Sequence, residues 1–158
     1  MDRQKKIKYG GLILLLVFLG LGLFLSNTKQ KQEEQQAYQF PPPETVVRHY
    51  FTAWNDKNYP EMYATLSDGF KKIDPHSKDL ATFRQFASAQ GIEKVTIIAI
   101  TEKSNNGQTA EVKYAVESTL SDGTTNPFEG TFTLKNRPGD VIRGWKLIHP
   151  YGDNIDTS

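Results

Sequence analysis

The chain contains no cysteine. That absence excludes disulfides, thiolate zinc sites, thiol nucleophiles and a bacterial lipobox anchor, so the fold must rest on its apolar core. Net charge is almost missing too, because 19 Lys and Arg face 18 Asp and Glu and leave a formal +1. Arg3, Lys5, Lys6 and Lys8 cluster at the N-terminus, so the remainder is close to neutral. A nucleic-acid partner requires Lys and Arg gathered on one face of the folded part, and Lys71-Lys72 alone is too little. Histidine is scarce, and His49, His76 and His149 share no helix turn or strand face, which argues against a three-histidine zinc site. No metal and no other cofactor is expected.

With 158 residues the chain has room for one domain of modest size once a targeting segment is set aside. That segment is the run Gly10 to Leu25, which carries no charge and, with its flanks, approaches the roughly 20 residues needed to cross a bilayer core. No A-x-A-like site follows it, so residues 9–26 read as an uncleaved transmembrane signal anchor. The basic tail at 1–8 places the N-terminus in the cytoplasm and sends the rest to the extracytoplasmic side of the membrane. Residues 27–42 are rich in glutamine and charge without an apolar period, and Pro41-Pro42-Pro43 stiffen the end of this juxtamembrane linker. One domain occupies 43–150, and 151–158 form a tail without pattern.

Inside the domain the spacing of Val47, Tyr50, Phe51 and Trp54 predicts a helix running to about Lys57. Asn58 and Pro60 break the pattern, after which Met62, Tyr63 and Leu66 predict a second helix sharing the same core. Ser67-Asp68-Gly69 reads as another break and Asp74-Pro75-His76 as a turn. A third helix is signalled by Ser77 or Asp79 as cap, with Leu80, Phe83, Phe86 and Ala87 on one face and Gly91 past the end. The apolar period then changes to two. Strands are predicted over 94–103, 109–120, 128–135 and 141–149, separated by Asn106-Gly107, Asp122-Gly123 and Pro138-Gly139 turns. Such short connections make an antiparallel meander of four strands, hence an α+β fold.

The opening of this domain, Trp54, Tyr59, Met62, Tyr63, Leu66 and Ser67, resembles the nuclear transport factor 2-like superfamily. That resemblance implies a cone-shaped domain of three helices packed on a curved four-stranded antiparallel sheet. With the basic tail, the membrane helix, the segment Phe83 to Ile92 and the closing Gly144 to Pro150, the chain is most similar to the N-terminal domain of low-affinity class B penicillin-binding transpeptidases. In that family the chain continues into a dimerisation region and a transpeptidase domain. The resemblance stops before those regions, so transpeptidation and covalent penicillin binding are not carried over.

Catalytic members of the superfamily place an Asp, Glu or His inside the cone. Here the inward phases carry Ala110, Val112, Tyr114, Val116, Phe128, Phe132, Leu134, Trp145 and Leu147, while Glu111, Glu117 and Glu129 fall on the opposite phase. Ser118 is the one small polar residue on an inward phase of the middle strands. The interior is therefore expected to be oily, and the protein is expected not to be an enzyme. Trp54, Tyr63, Tyr114, Trp145 and His149 are the candidate pocket residues, His149 as the one histidine near the rim and without an acid near it in sequence. Ile98, Ile100, Ile142 and Ile148 fall on the phase opposite the core of their strands, which makes the outer sheet face a candidate interface for a second copy or an envelope partner. The expected role is a single-pass, membrane-anchored binding or scaffolding domain near the cell wall. The rivals are an isomerase or cyclase of the same fold and the outer domain of a secretion or conjugation scaffold.

Overall fold

The structure is a computed structural model and describes residues 40–150. The basic tail, the expected membrane helix, the linker up to residue 39 and the tail at 151–158 lie outside the described residues, as do the expectations made for them. Among the described residues no helix is long and apolar enough to cross a membrane. The compact unit containing them begins at Phe40.

Helix α1, Pro43–Asn55, starts with proline in its first turn, where no amide hydrogen is needed, and carries Glu44 beside the positive end of the helix dipole. Val47 and Phe51 are buried, with Tyr50 and Trp54 packed beside them, so the apolar stripe faces the core as its spacing predicts. Lys57 then takes the left-handed conformation, φ +54°, which breaks the helix without a glycine. Asn58 caps α2, Tyr59–Ala64, whose Met62 is fully buried.

The break expected at Ser67-Asp68-Gly69 is instead a helix start. Ser67 Oγ accepts a hydrogen bond from Phe70 N at 2.9 Å and begins α3, Asp68–Ile73. An acid in its first turn and Lys71-Lys72 in its last suit the helix dipole. The described residues thus hold four helices rather than three. In α4, Leu80–Ala89, Asp79 is the cap, accepting from Thr82 N at 2.7 Å. Only Phe83 and Ala87 of its expected apolar face are buried, whereas Leu80 and Phe86 are exposed. Phe86 instead stacks on His76, ring centroids 4.5 Å apart.

The sheet is the expected antiparallel meander in the order β1-β2-β3-β4, with β1 Ile92–Asn105, β2 Thr109–Leu120, β3 Thr125–Arg137 and β4 Gly144–Leu147. Strand β4 is much shorter than predicted. Residues ahead of it form a loop held to α3 by two carboxylates: Asp140 Oδ2 accepts from Asp68 N (3.0 Å), and Asp68 Oδ2 accepts from Val141 N (2.9 Å). On its outer edge β4 is joined by the segment 65–67, through Ser67 N to Leu147 O and Leu147 N to Thr65 O, both 2.9 Å.

Strand β1 is the other edge, and its backbone is occupied by side chains. The Asn55 carboxamide donates to Val95 O and accepts from Val95 N, both at 2.6 Å. Lys57 Nζ donates to Ile92 O, and Glu44 accepts from Glu102 N at 2.6 Å. These contacts blunt an edge that would otherwise be open to pairing.

The four isoleucines expected to share one outer face do not. Ile97 pairs with Val116 and Ala99 with Ala115, so Ile98 is the extra residue of a β-bulge and is 65% exposed. Past the bulge the phase is inverted, and Ile100 opposite Tyr114 packs against the core. Ile148 is buried just past β4, its amide donating to Thr133 O at 3.1 Å, and Ile142 is exposed in the loop before β4.

Candidate functional site

Between α1 and the inner face of the sheet lies a cavity of about 350 Å³. Its wall is aromatic. Tyr50, Phe51 and Trp54 come from α1, Tyr114 from β2, and Phe128 and Phe132 from β3. Tyr114 and Phe132 stack at 4.6 Å between centroids, Phe51 lies 5.1 Å from Tyr114, and Tyr50 meets Trp54 and Phe132 edge-on at 5.8 Å each. Gly130 is what admits the Tyr114 ring. It faces Tyr114 across the strand pair, and a Cβ there would stand 2.6 Å from the phenol oxygen.

The polar groups of the lining are uncharged. Ser118 Oγ donates to Asn126 O at 3.2 Å, and Gln90 stands near the end of α4. Burial pushes the Tyr50 phenol well above its ordinary range, with nearby Tyr114 adding to the effect, and burial also raises Tyr114. Both phenols therefore stay protonated at neutral pH. The cavity can offer hydrogen-bond donors inside an aromatic box, which suits a small apolar molecule carrying an acceptor.

The five expected pocket residues separate into different places. Trp54 and Tyr114 line this cavity. Tyr63 instead turns toward α4, where it packs on Phe83 at 5.5 Å and under the Lys71 ammonium at 4.7 Å. Trp145 borders another cleft, of about 330 Å³, between α1, α2 and β4. His149 meets the edge of Phe70 at 4.9 Å. An acid does reach it, since Asp74 Oδ2 lies 3.8 Å from Nε2, a contact hidden in sequence because it joins the end of α3 to the segment after β4. His49 is exposed as expected and pairs with Glu61 at 2.9 Å. Among the described residues no three His, Asp or Glu side chains come together as a metal site would need.

Two features escaped the sequence reading. Tyr50 has the spacing of a core residue, yet it lines the cavity. Lys146, which its charge would place on the surface, is 6% exposed and donates from Nζ to Ala64 O at 2.5 Å. Burial, with the like charge of Lys71 behind it, lowers its ammonium below the usual lysine range.

Over residues 42–150 the chain matches the family described as NTF2-like N-terminal transpeptidase domain. No curated protein matches it. Among solved structures, it is similar to a ketosteroid isomerase-like protein from Erwinia carotovora atroseptica, with 18% identity over 66% of this chain and 86% of that one, TM-score 0.43. It is also similar to an NTF2-like protein of unknown function from Exiguobacterium sp. 255-15, with 16% identity over 65% and 94%, TM-score 0.43. A SEC-C motif containing protein from Rhodopseudomonas palustris matches at 13% identity over 66% and 73%, TM-score 0.45. At these identities the likeness is one of fold alone. The S-x-x-K spacing of serine transpeptidases occurs in the chain at Ser26 to Lys29, ahead of the matched residues.

Proposed function

Because the chain belongs to the family of NTF2-like N-terminal transpeptidase domains, we propose that it is a non-catalytic binding or scaffolding module, tethered by residues 9–26 to the bacterial cytoplasmic membrane and facing the cell wall. The observation that carries this reading is the lining of the aromatic cavity, whose ionisable groups are two phenols held protonated by burial. Proton-transfer catalysis uses a group that titrates near the working pH, and neither phenol does. The basic flank and the apolar run support the placement, and the family description supports a connection with the transpeptidases that build cell wall. Ile98, standing out of the sheet at the bulge, is a contact point for a partner of this module.

A second reading, an isomerase or cyclase acting in the same cavity, is favoured by those phenols, since a neutral donor can polarise a carbonyl oxygen. It lacks a base in the lining to accept the substrate's proton.

Protease treatment of intact protoplasts tests the placement, and photocrosslinking from position 98 in living cells tests the role. The domain should be digested from outside while the basic tail is spared, and crosslinks should join it to envelope proteins. A domain digested only after lysis would refute the placement. Turnover of a small carbonyl compound that disappears in Tyr50→Phe would refute the non-catalytic role.

A further inference from the structure

The cleft beside Trp145 shares no lining residue with the aromatic cavity, so a ligand bound there is independent of the function proposed for the chain. We propose that it binds a small monocarboxylate carrying a short apolar chain, with Lys146 and Arg143 holding the carboxylate while Trp145 and Val46 receive the chain.

A lysine as buried as Lys146 is ordinarily matched by a carboxylate, and its ammonium has three donors to satisfy. Among the described residues its one hydrogen bond goes to Ala64 O, and no carboxylate lies within ion-pair distance. The acids that act on it from further away are each committed elsewhere. Glu61 is held by His49 at 2.9 Å. Asp140 is held by Arg137 and the Asp68 amide, and Asp68 by the Val141 amide and Lys71. The lowered proton affinity of the ammonium agrees with a cation that lacks its counter-ion.

The charge of the cleft sets the ligand's charge. Of the lysine, arginine and glutamate side chains in the lining, Lys146 and Arg143 are cations and Glu61 is an anion, so one positive charge is left over. Arg143 is an exposed lining residue and has no ionic partner among the described residues. One carboxylate restores neutrality, and its two oxygens can take the free ammonium and guanidinium donors. A phosphate dianion would overshoot and stand against Glu61. The volume, about 330 Å³, is at the small end of the range for small-molecule sites. Trp145 and Val46 offer apolar wall to the remainder of the ligand.

The test uses the full chain in detergent micelles with Trp54→Phe, which leaves Trp145 as the sole tryptophan. Butyrate should change its emission saturably, and butylammonium and inorganic phosphate should bind at least tenfold more weakly. Lys146→Met and Arg143→Ala should each weaken butyrate about tenfold or more. Should Lys146→Met fail to fold, Thr45→Phe, at an exposed position of α1 that borders the cleft, fills the space and leaves the lysine in place; it should abolish the response. No saturable response to butyrate, equal binding of phosphate, or an unchanged response in Thr45→Phe would each overturn the proposal.

Discussion

Replacing Gly130 with alanine should loosen the whole aromatic box. The new Cβ would stand 2.6 Å from Tyr114 Oη and 2.9 Å from Cζ, where apolar contacts settle at about 3.5 to 4 Å. The ring must therefore retreat by something on the order of 1 Å. It has nowhere easy to go, since Phe132 stacks on it at 4.6 Å and Phe51 closes another side at 5.1 Å. Overpacking of this kind costs about 1–3 kcal/mol, partly offset by the roughly 0.5–1 kcal/mol that alanine gains over glycine within a strand. The net loss is about 1–2 kcal/mol, which lowers a urea midpoint by roughly 0.5–1 M at ordinary m-values. Urea melts of Gly130→Ala, Tyr114→Leu and the double variant form a cycle. With the ring removed the alanine should be neutral or mildly stabilising, so the coupling should reach about 1 kcal/mol or more. A Gly130→Ala melt identical to that of the parent, or the same cost in both backgrounds, would show that the ring is not clamped over this glycine.

Asn55→Ala removes both hydrogen bonds to Val95 and should cost about 1–3 kcal/mol, with faster amide exchange at Val95 as the specific sign; an exchange rate unchanged at that amide would refute the clip. The Asp68 carboxyl is held below the usual carboxylate range, first of all by the Val141 amide. The folded chain binds that proton less tightly than the unfolded chain does, so the stabilisation is complete above about pH 4 and fades as pH falls through the lowered value. Asp68→Asn should accordingly flatten the acid limb of a stability–pH curve measured by urea melts. Trp54→Ala, which strips a ring from the cavity wall, should cost about 3 kcal/mol, whereas His49→Ala, at an exposed hydrogen bond to Glu61, should stay within about 0.5 kcal/mol; equal midpoints would remove Trp54 from the core. A chain beginning at Pro41 should give a cooperative melt on its own, because the apolar pattern starts only there; failure to fold would move the boundary.

The helices and the meander were legible because Val47, Phe51 and Met62 recur at helical spacing, and because glycine turns punctuate long alternating strands. Asp79 could be read as a cap for the same local reason. What stayed hidden is decided between distant segments. Six-residue α3 is too short to show a period, and its Ser67-Asp68-Gly69 start has the composition of a turn. The bulge at Ile98 leaves no mark in an apolar run where every residue fits either face, so the inversion that turns Ile100 inward could not be seen. Lys146 is buried with its ammonium on Ala64, and Leu147 pairs with Leu66, roughly half the chain away. Tyr50 shows the limit most plainly, because spacing reveals which residues face inward but not whether the interior is filled or left open around them.

The pairing of 65–67 with β4 also constrains the order in which the molecule can form. Its contacts span the domain: Ala64 meets Lys146 across 82 residues, and Asp68 meets Asp140 across 72. Closing loops of that length costs more chain entropy than closing the local hairpins, which favours the hairpins forming first. The first half of the domain accordingly keeps Leu66 and Ser67 without their sheet partner until the final strand has emerged from the ribosome. A domain synthesised N-terminus first therefore stays incomplete until its closing strand arrives, and acquires its last rung only with the final residues of the domain.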